Sequence, residues 1–302
     1  MNLKYKYSIT YFIAIIAGKL LRLFPLKFNV IASKLFIRLV YPLLNSRKKV
    51  AINNLKAAFP DYDDEQIKKI AYKSIESLGI TFMELFYLPK MSREEVMKYV
   101  KFENPELLIN LYKEGRGLLL LSAHYGNWEF MAFAGAYHLN IDMLIPVKLL
   151  KNWFVDRMVN KIRTANGNKI VNMDRAAFEM LKQLKSGKAV ALLADQSAQE
   201  DTDVFVSLFN RPTLTYKAPA ELALKYNIPL TINFCERQDD GSYIIKSEEV
   251  KHDDLELNRD AILELTQRHV SMLEKQLIKN PEQWAWAHKR WKHQPKNEMP
   301  NR

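Results

Sequence analysis

Two residues that could carry out proton transfer, His124 and Glu129, lie five positions apart in the string HYGNWE. The string follows an unbroken apolar run at 118–121, and this order predicts a buried parallel strand followed by a tight turn into a helix. Ligands of open α/β sheets bind at the carboxyl ends of strands. Because a nearby carboxylate can fix the tautomer of an imidazole and stabilise its protonated form, the pair is a candidate general base.

Two residues within this string, Gly126 and Asn127, suit a turn at which a substrate binds. Glycine lets the backbone turn sharply or approach a ligand closely. Asn127 can cap the following helix, whose free N–H groups would favour a negatively charged ligand at the same spot. A purely structural capped turn with a hydrogen-bonded histidine would use the same residues, so the spacing alone leaves both interpretations open.

A second carboxylate, Asp195, follows the apolar run at 189–194 and precedes Gln196. An aspartate at the end of a strand often serves only as a loop cap. Two strand ends that carry carboxylates, one of them with a histidine, nevertheless favour a shared functional edge of the sheet.

A pair of cations, Lys161 and Arg163, ends the helical stretch predicted after Lys148. Positive charge at the C-terminal end of a helix is favourable in any case. The functional interpretation is binding of a phosphate or carboxylate, for which the guanidinium group is well suited.

The sequence lacks the motifs of several enzyme classes. It contains no Gly-x-Gly-x-x-Gly, no phosphate loop of the Lys-Ser/Thr type, no His-Glu-x-x-His and no Gly-x-Ser-x-Gly. The one cysteine, Cys235, excludes an intramolecular disulfide and a cysteine cluster for zinc, and its apolar surroundings predict a buried structural thiol. Since no protein nucleophile is evident, we expect His124 to deprotonate a hydroxyl group of the substrate.

The net charge of +11 is confined to the N-terminal part of the chain. Residues 1–60 contain eleven Lys and Arg and no Asp or Glu, whereas the rest contains 34 basic and 34 acidic residues. The charge-free portion, 8–18, is shorter than the roughly 20 apolar residues of a membrane span. Basic residues mixed with apolar ones predict attachment to an anionic membrane surface. A basic amphipathic helix packed on the domain is the alternative; no nucleic-acid-binding motif accompanies the segment, and we expect no nucleic-acid partner.

The remaining pattern predicts an α/β fold with a mostly parallel, doubly wound central sheet flanked by helices. Apolar runs typical of strands recur at 118–123, 141–147, 169–173, 188–194, 229–235 and 243–246, and helical patterns lie at 127–138, 151–165, 174–186, 217–226 and 257–279. We expect N-terminal membrane-associated helices at 1–58, an α/β domain at 59–295 and a disordered tail at 296–302.

Several strings along the chain together resemble the sequence blocks of one enzyme family. HYGNWE is similar to a His-x4-Asp/Glu motif in the form His-x-Gly-Asn-Trp-Glu. Residues 146–167 resemble a second block whose essential arginine corresponds to Arg163, and Asp195-Gln196 resembles an Asp-Gln or Asp-His block. PEQWAWAHKRWK at 281–292 resembles the C-terminal signature. Across roughly residues 10–295, the chain resembles the bacterial late acyltransferases of lipid A synthesis, relatives of the glycerol-phosphate acyltransferases.

The resemblance implies a glycerol-phosphate-acyltransferase-like fold and transfer of a fatty acyl chain from an acyl-carrier-protein or coenzyme A thioester to a hydroxyl of a lipid A precursor. It implies His124 as the general base, Glu129 as the carboxylate that orients and charges it, and Arg163 and Asp195 as residues that position substrate or stabilise the site. The N–H groups after Gly126 would bind the oxyanion of the tetrahedral intermediate. No metal or redox cofactor is implied. The expected location is the cytoplasmic face of the bacterial inner membrane, peripherally or through one N-terminal anchor.

Two positions depart from the pattern of the family. Lys148 stands where many relatives have arginine, so it offers an acceptor phosphate a point charge rather than a bidentate fork. Asn210 replaces the usual glycine of a turn, which asparagine tolerates because it adopts positive φ more readily than most residues.

Other functions stay open from the sequence. The same chemistry could act on a lysophospholipid, an aminolipid or a mannosylated lipid. Water as the acceptor would make the protein a thioesterase. A non-catalytic membrane-binding paralogue is an alternative of a different class.

The cluster of Trp284, Trp286 and Trp291 is either a belt at the headgroup level of a membrane or the packing of a terminal segment onto the sheet. An acidic carrier protein would be steered by a basic approach surface.

Overall fold

The computed structural model describes residues 12, 15–16, 18–196 and 198–295. The predicted tail at 296–302 and most of the first 17 residues lie outside these described residues. The main sheet has seven strands in the order β1-β9-β8-β2-β5-β3-β4. The strands are β1 (Val100–Phe102), β2 (Leu118–Gly126), β3 (Met143–Val147), β4 (Lys169–Asn172), β5 (Ala189–Leu193), β8 (Leu230–Arg237) and β9 (Tyr243–Glu249).

The sheet is mostly parallel, which confirms the predicted fold class. β8, β2, β5, β3 and β4 run in one direction. β9 runs antiparallel to β8 because a short turn joins the two, and β1 pairs in parallel with β9. A separate hairpin pairs β6 (Val204–Leu208) with β7 (Arg211–Thr215), and its two turn residues, Phe209 and Asn210, have φ of 53° and 54°. Asn210 thus adopts the positive φ expected for the turn.

Helices cover both faces of the sheet. Most follow the predicted ranges within a few residues. They are α1 (Leu26–Val40), α2 (Asn45–Ala58), α3 (Asp64–Leu85), α4 (Arg93–Tyr99), α5 (Pro105–Lys113), α6 (Trp128–Leu139), α7 (Trp153–Arg163), α8 (Ala176–Lys185), α9 (Ala218–Tyr226) and α10 (Arg259–Lys279). Single helical turns lie at Tyr41–Leu43, Leu88–Lys90, Met173–Arg175 and Pro281–Gln283.

The central strand β2 is longer than its sequence predicted. The apolar pattern places the strand end near residue 123, but β2 continues to Gly126. Pairing with β8 is interrupted between Ser122 and Gly126 and resumes where Gly126 lies opposite Cys235. His124 consequently lies within β2, near the end of the strand, rather than in a loop after it. The helix α6 begins shortly afterwards, at Trp128.

The N-terminal helices α1 and α2 pack on the domain by one face each. Ile37 of α1 lies against Gly79 of α3, where an added Cβ would come within 2.4 Å of the isoleucine side chain. Ala51 and Leu55 of α2 belong to the same buried cluster as residues of β2. The outer face of α1 stays exposed and apolar; it consists of Phe28, Ile31, Leu35, Phe36 and Leu39. None of the helices that the structure describes is both long and apolar enough to cross a bilayer.

Candidate active site

His124 is held at the end of β2 by the carboxylate of Asp195. β2 and β5 are parallel neighbours, so the residue two positions beyond β5 reaches the same edge of the sheet. Asp195 Oδ1 accepts a hydrogen bond from His124 Nδ1 at 2.8 Å, and Oδ2 accepts one from the backbone N–H of His124 at 2.8 Å. Trp284 Nε1 also donates to Oδ2, at 2.7 Å. One buried carboxylate therefore fixes both the imidazole ring and the strand that carries it.

Glu129, which the resemblance assigned to orienting the histidine, has another partner. Arg163, the last residue of α7, donates from Nε to Glu129 Oε2 at 3.0 Å and from Nη2 to Oε1. The prediction that Glu129 orients the ring is corrected by this geometry. Asp195 reaches the ring because β5 ends beside β2, whereas the Glu129 side chain extends from the first turn of α6 to the end of α7.

Two carboxylates raise the pKa of His124 above its ordinary value of 6.5. Burial is the largest single effect and disfavours the charged ring, but the charge of Asp195, its hydrogen bond to the ring and the charge of Glu129 together outweigh burial. Burial likewise opposes ionisation of Asp195, yet His124 and Trp284 hold the pKa of that carboxyl at about 2. Asp195 is thus ionised at neutral pH and keeps a ring proton on Nδ1.

The neutral ring then carries its lone pair on Nε2. The side-chain amide nitrogen of Gln196 lies 3.1 Å from His124 Nε2 and 3.4 Å from Nδ1. Because Nδ1 already donates to Asp195, the amide hydrogen bond belongs to Nε2. The ring also meets Trp128 nearly edge-on, with centroids 4.9 Å apart. A hydroxyl group that displaces the Gln196 amide would reach the free lone pair.

Gly126 and Asn127, predicted as substrate contacts, lie beneath the site and support it. Gly126 has φ of 56°, and an added Cβ would lie 1.6 Å from the carbonyl oxygen of Cys235. Its own carbonyl accepts from Thr81 Oγ1 at 2.8 Å. Asn127 Oδ1 caps α6 by accepting a hydrogen bond from the backbone N–H of Phe130 at 2.8 Å. The backbone N–H of Asn127 donates to the carbonyl oxygen of Cys235 at 3.4 Å. Neither Gly126 nor Asn127 lines the cavity described below.

A buried polar network under this turn was missed by the sequence reasoning. Glu84 Oε2 accepts from Asn127 Nδ2 at 2.7 Å and from the hydroxyl of Tyr243, and it lies 3.6 Å from Arg237 Nη2. Arg237 also donates to Thr81 Oγ1 at 3.2 Å and to the Tyr243 hydroxyl at 2.8 Å. The available signal was the single acid, Glu84, in the apolar stretch 77–88.

The tryptophan-rich C-terminal segment is packed into the site. Trp284 and Trp286 are 2% and 0% exposed, so packing onto the sheet, rather than a membrane belt, describes them. Trp291 is partly buried and donates to Thr213 Oγ1 at 2.7 Å. The N–H of Ala285 donates to the carbonyl of His124 at 3.0 Å. The segment therefore holds both the end of β2 and the carboxylate of Asp195 in place.

A cavity of about 1320 Å³ opens at this edge of the sheet. Its polar wall includes His124, Glu129, Arg163, Gln196 and Lys148. Much of the remaining wall is apolar and extends inward between α6 and the sheet, with Leu120, Met131, Leu139 and Met143 among its residues. The volume exceeds the roughly 300–1,000 Å³ of ordinary small-molecule pockets, so a long apolar chain and a polar headgroup both find room.

No group of three or more His, Cys, Asp or Glu is arranged to hold a metal ion in the part of the chain that the structure describes. The polar wall of the cavity combines two imidazoles, the ion pair of Glu129 with Arg163 and further cations. Such a wall suits proton transfer next to an anionic or polar substrate group.

Comparison with known proteins identifies related sequences. The model of a family described as bacterial lipid A biosynthesis acyltransferase matches residues 2–293. The lipid A biosynthesis lauroyltransferase of Escherichia coli (strain K12) is 24% identical over 280 residues, which are 88% of this chain and 85% of that protein. The lipid A biosynthesis palmitoleoyltransferase of the same organism is 21% identical over 262 residues, 85% and 82% of the two chains. A lipid A biosynthesis acyltransferase of Haemophilus influenzae is 24% identical over 259 residues, 84% and 80%.

Proposed function

Because the chain belongs to the bacterial lipid A biosynthesis acyltransferase family, we propose that it moves a fatty acyl chain from an acyl thioester to a hydroxyl group of a lipid A precursor, with His124 as the general base. The family makes the protein an O-acyltransferase. The observation that carries the proposal for His124 is the clamp of Asp195 on Nδ1, which leaves Nε2 as the only proton acceptor of the ring.

In the proposed step the acceptor hydroxyl replaces the Gln196 amide at His124 Nε2. The hydroxyl proton passes to Nε2 as the oxygen attacks the thioester carbonyl and forms the new ester bond. The tetrahedral intermediate then collapses, the carbon–sulfur bond breaks, and the thiolate leaves with the proton from the imidazolium. Asp195 stabilises that imidazolium, because it is ionised and lies 2.8 Å from Nδ1.

Arg163 and Lys148 supply positive charge to the same cavity. Because Arg163 forms an ion pair with Glu129, its side chain is held in one position in the cavity wall near the base. Lys148 is exposed at the rim beyond β3 and has the reach to contact a phosphate of the acceptor. We assign Arg163 to positioning of the acyl-transfer site and Lys148 to the acceptor headgroup.

The outer face of α1 supports peripheral attachment to the inner membrane. Five large apolar side chains of this helix are exposed, and the first 60 residues contribute eleven basic and no acidic residues. This pairing of apolar and cationic groups suits the headgroup region of an anionic leaflet. Ile37 of α1 and the exposed Phe82 of α3 also line the cavity, so a lipid acceptor would enter it from that side.

Vesicle sedimentation tests this attachment. The full chain is expected to bind phosphatidylglycerol-containing vesicles and to bind neutral phosphatidylcholine vesicles less. The double variant Leu35→Glu/Phe36→Glu should lose binding, because it places two charges in the apolar face. Phe178→Glu, on the exposed face of α8, is the matched control and should bind as the parent does. Equal binding by all three proteins would exclude α1 as the membrane contact.

An acyl-transfer assay tests the function. Purified protein in detergent is incubated with radiolabelled acyl-carrier-protein or coenzyme A thioesters and a panel of acceptors: tetra-acylated lipid A precursor, lysophospholipids, aminolipids and a mannosylated lipid. His124→Ala should lower the rate by about 10²–10⁴-fold. His293→Ala, outside the cavity lining, is the control histidine and should keep the parental rate.

Each outcome separates one alternative. Label that moves to the lipid A precursor supports the proposed acceptor, and the faster donor identifies the thioester. Label that moves to another lipid overturns the acceptor but keeps the chemistry. Release of free fatty acid without any acceptor identifies a thioesterase, and no turnover with any donor identifies a non-catalytic protein.

A further inference from the structure

A second histidine, His288, lines the same cavity as His124. Its ring is partly buried, and its Nδ1 is fully buried without a hydrogen-bond partner. Within the described part of the chain, no protein group hydrogen bonds to either ring nitrogen, so Nε2 is left to the cavity.

The backbone around His288 is fixed from several sides. Its N–H donates to the carbonyl of Ala285 at 3.2 Å, and its carbonyl accepts from Asn54 Nδ2 at 2.7 Å. Arg47 Nη1 donates to the carbonyl of Ala287 at 3.3 Å. Because Ala285 itself donates to the carbonyl of His124, the two histidines are held in one rigid frame. The backbone that carries the His288 ring is therefore held in place before substrate arrives.

The surroundings keep His288 neutral. Burial lowers its pKa; the positive charges of His124, Arg290 and Lys292 lower it further, and only Asp195 opposes them. A neutral imidazole has one N–H and one lone pair. The buried, unpaired Nδ1 accommodates the lone pair better than an orphaned N–H, so the proton belongs on Nε2, the atom next to the cavity.

Several donors at this edge are already committed. The N–H of Asn127 donates to Cys235, and the N–H of Phe130 donates to the Asn127 side chain. Arg163 uses Nε and Nη2 for Glu129. The oxyanion that forms during acyl transfer needs a donor in the cavity, and a neutral histidine N–H is a known kind of oxyanion donor.

We propose that His288 is a second catalytic imidazole, whose Nε2–H donates a hydrogen bond to the carbonyl oxygen of the acyl thioester and strengthens it as that oxygen becomes negative. The proposal rests on the proposed acyl transfer. His124 takes the hydroxyl proton and later returns it to the leaving thiolate, while the His288 proton stays on Nε2 throughout.

Kinetics of His288 variants test this role. His288→Ala should lower kcat by about 10²–10³-fold with little change in KM, the usual effect of removing one oxyanion donor. His288→Gln, which retains an N–H donor, should recover part of that loss, and added imidazole should rescue His288→Ala. Lys289→Ala, at the exposed neighbouring position, is the matched control and should keep the parental kcat. The acid limb of the pH–rate profile should remain in each variant, because it belongs to His124.

Binding of two unreactive donor analogues tests the contact without turnover. One analogue replaces the thioester sulfur by CH₂ and keeps the carbonyl; the other is a thioether without the carbonyl oxygen. The parent should bind the ketone about two- to tenfold more tightly than the thioether, the contribution of one hydrogen bond. His288→Ala should bind both equally. A preserved preference in His288→Ala, or an unchanged kcat, would overturn the proposal.

The two arms also separate this proposal from the wider one. If the parent transfers to no lipid but prefers the ketone through His288, the acceptor assignment fails and the carbonyl contact stands. If transfer depends on His124 while the analogue preference does not depend on His288, the wider function stands and His288 is structural.

Discussion

Two carboxylate clusters flank the end of β2, and they differ in whether their polar atoms face the cavity. Asp195 binds His124 at the wall of the cavity, where the Nε2 of the ring meets only the displaceable amide of Gln196. Glu84 lies on the other side of the turn, with Arg237 and Tyr243, outside the cavity lining. Each cluster is built around one buried carboxylate next to the same turn.

The electrostatics of the two carboxylates run in opposite directions. The pKa of Asp195 is lowered to about 2, since the imidazole and the indole N–H stabilise its charge against burial. Burial raises the pKa of Glu84 despite Arg237 and its hydrogen bonds. The comparison teaches that a carboxylate kept ionised beside an open cavity, such as Asp195, indicates a reactive site. A fully buried carboxylate–cation pair, such as Glu84 with Arg237, holds the backbone of the turn in place.

The sharpest test of the comparison is Arg237→Met. It removes the cation from the enclosed cluster, leaves Glu84 buried without it and should lower the free energy of unfolding by about 3–5 kcal/mol. Arg268→Met is the matched control, because Arg268 pairs with the exposed Asp254 and should cost about 1 kcal/mol or less. Denaturant titration gives both values. Equal losses would mean that the enclosed cluster is no more structural than a surface pair.

Asp195→Asn should act on rate and pH dependence more than on folding. Only the neutral His124 accepts a proton, so the rate rises with pH through the pKa of the ring, which lies above 6.5. Without the negative charge of Asp195 that pKa falls, and the acid limb of kcat/KM should move to lower pH. The loss of rate at the plateau should be smaller than the about 10²–10⁴-fold loss on removing the base. An unmoved limb would contradict the assignment of Asp195 as the partner of the ring.

Glu129→Gln should give the smallest shift. Glu129 raises the pKa of His124 through its charge alone, while its hydrogen bonds go to Arg163. The acid limb should therefore move in the same direction as in Asp195→Asn, but less. Asp174→Asn, another carboxylate of the cavity wall, is the control and should leave the limb unchanged. A larger shift for Glu129→Gln than for Asp195→Asn would restore Glu129 as the orienting carboxylate.

The sequence located the edge of the sheet but not the pairs formed there. His124 and Asp195 each follow an apolar run, and the alternation of strands and helices places both at strand ends. Which carboxylate meets the ring depends on strand order, because β5 pairs with both β2 and β3. That order is a long-range property, and local spacing favoured the nearer Glu129.

The cluster around Glu84 could not be predicted from local sequence patterns, because its members also come together only through long-range contacts. Asn127 and Glu84 are 43 residues apart, and Tyr243 and Glu84 are 159 residues apart. A single acid in an apolar helix stretch signals a buried partner, but its identity follows only from how α3 crosses the turn. Trp284 posed a similar problem, since its apolar ring fits a membrane belt and its indole N–H fits a buried carboxylate equally well.

The position of Trp284 and Ala285 along the chain also sets the order of events during synthesis. Asp195 can accept the hydrogen bond of the Trp284 indole only after 89 further residues have been synthesised. The carbonyl of His124 likewise gains its bond from the N–H of Ala285 only near the end of synthesis. At about 5–20 residues per second, roughly 10–45 seconds separate the emergence of residue 60 from that of residue 285. The basic N-terminal helices therefore emerge well before the segment that completes the hydrogen bonds of Asp195 and of the His124 carbonyl.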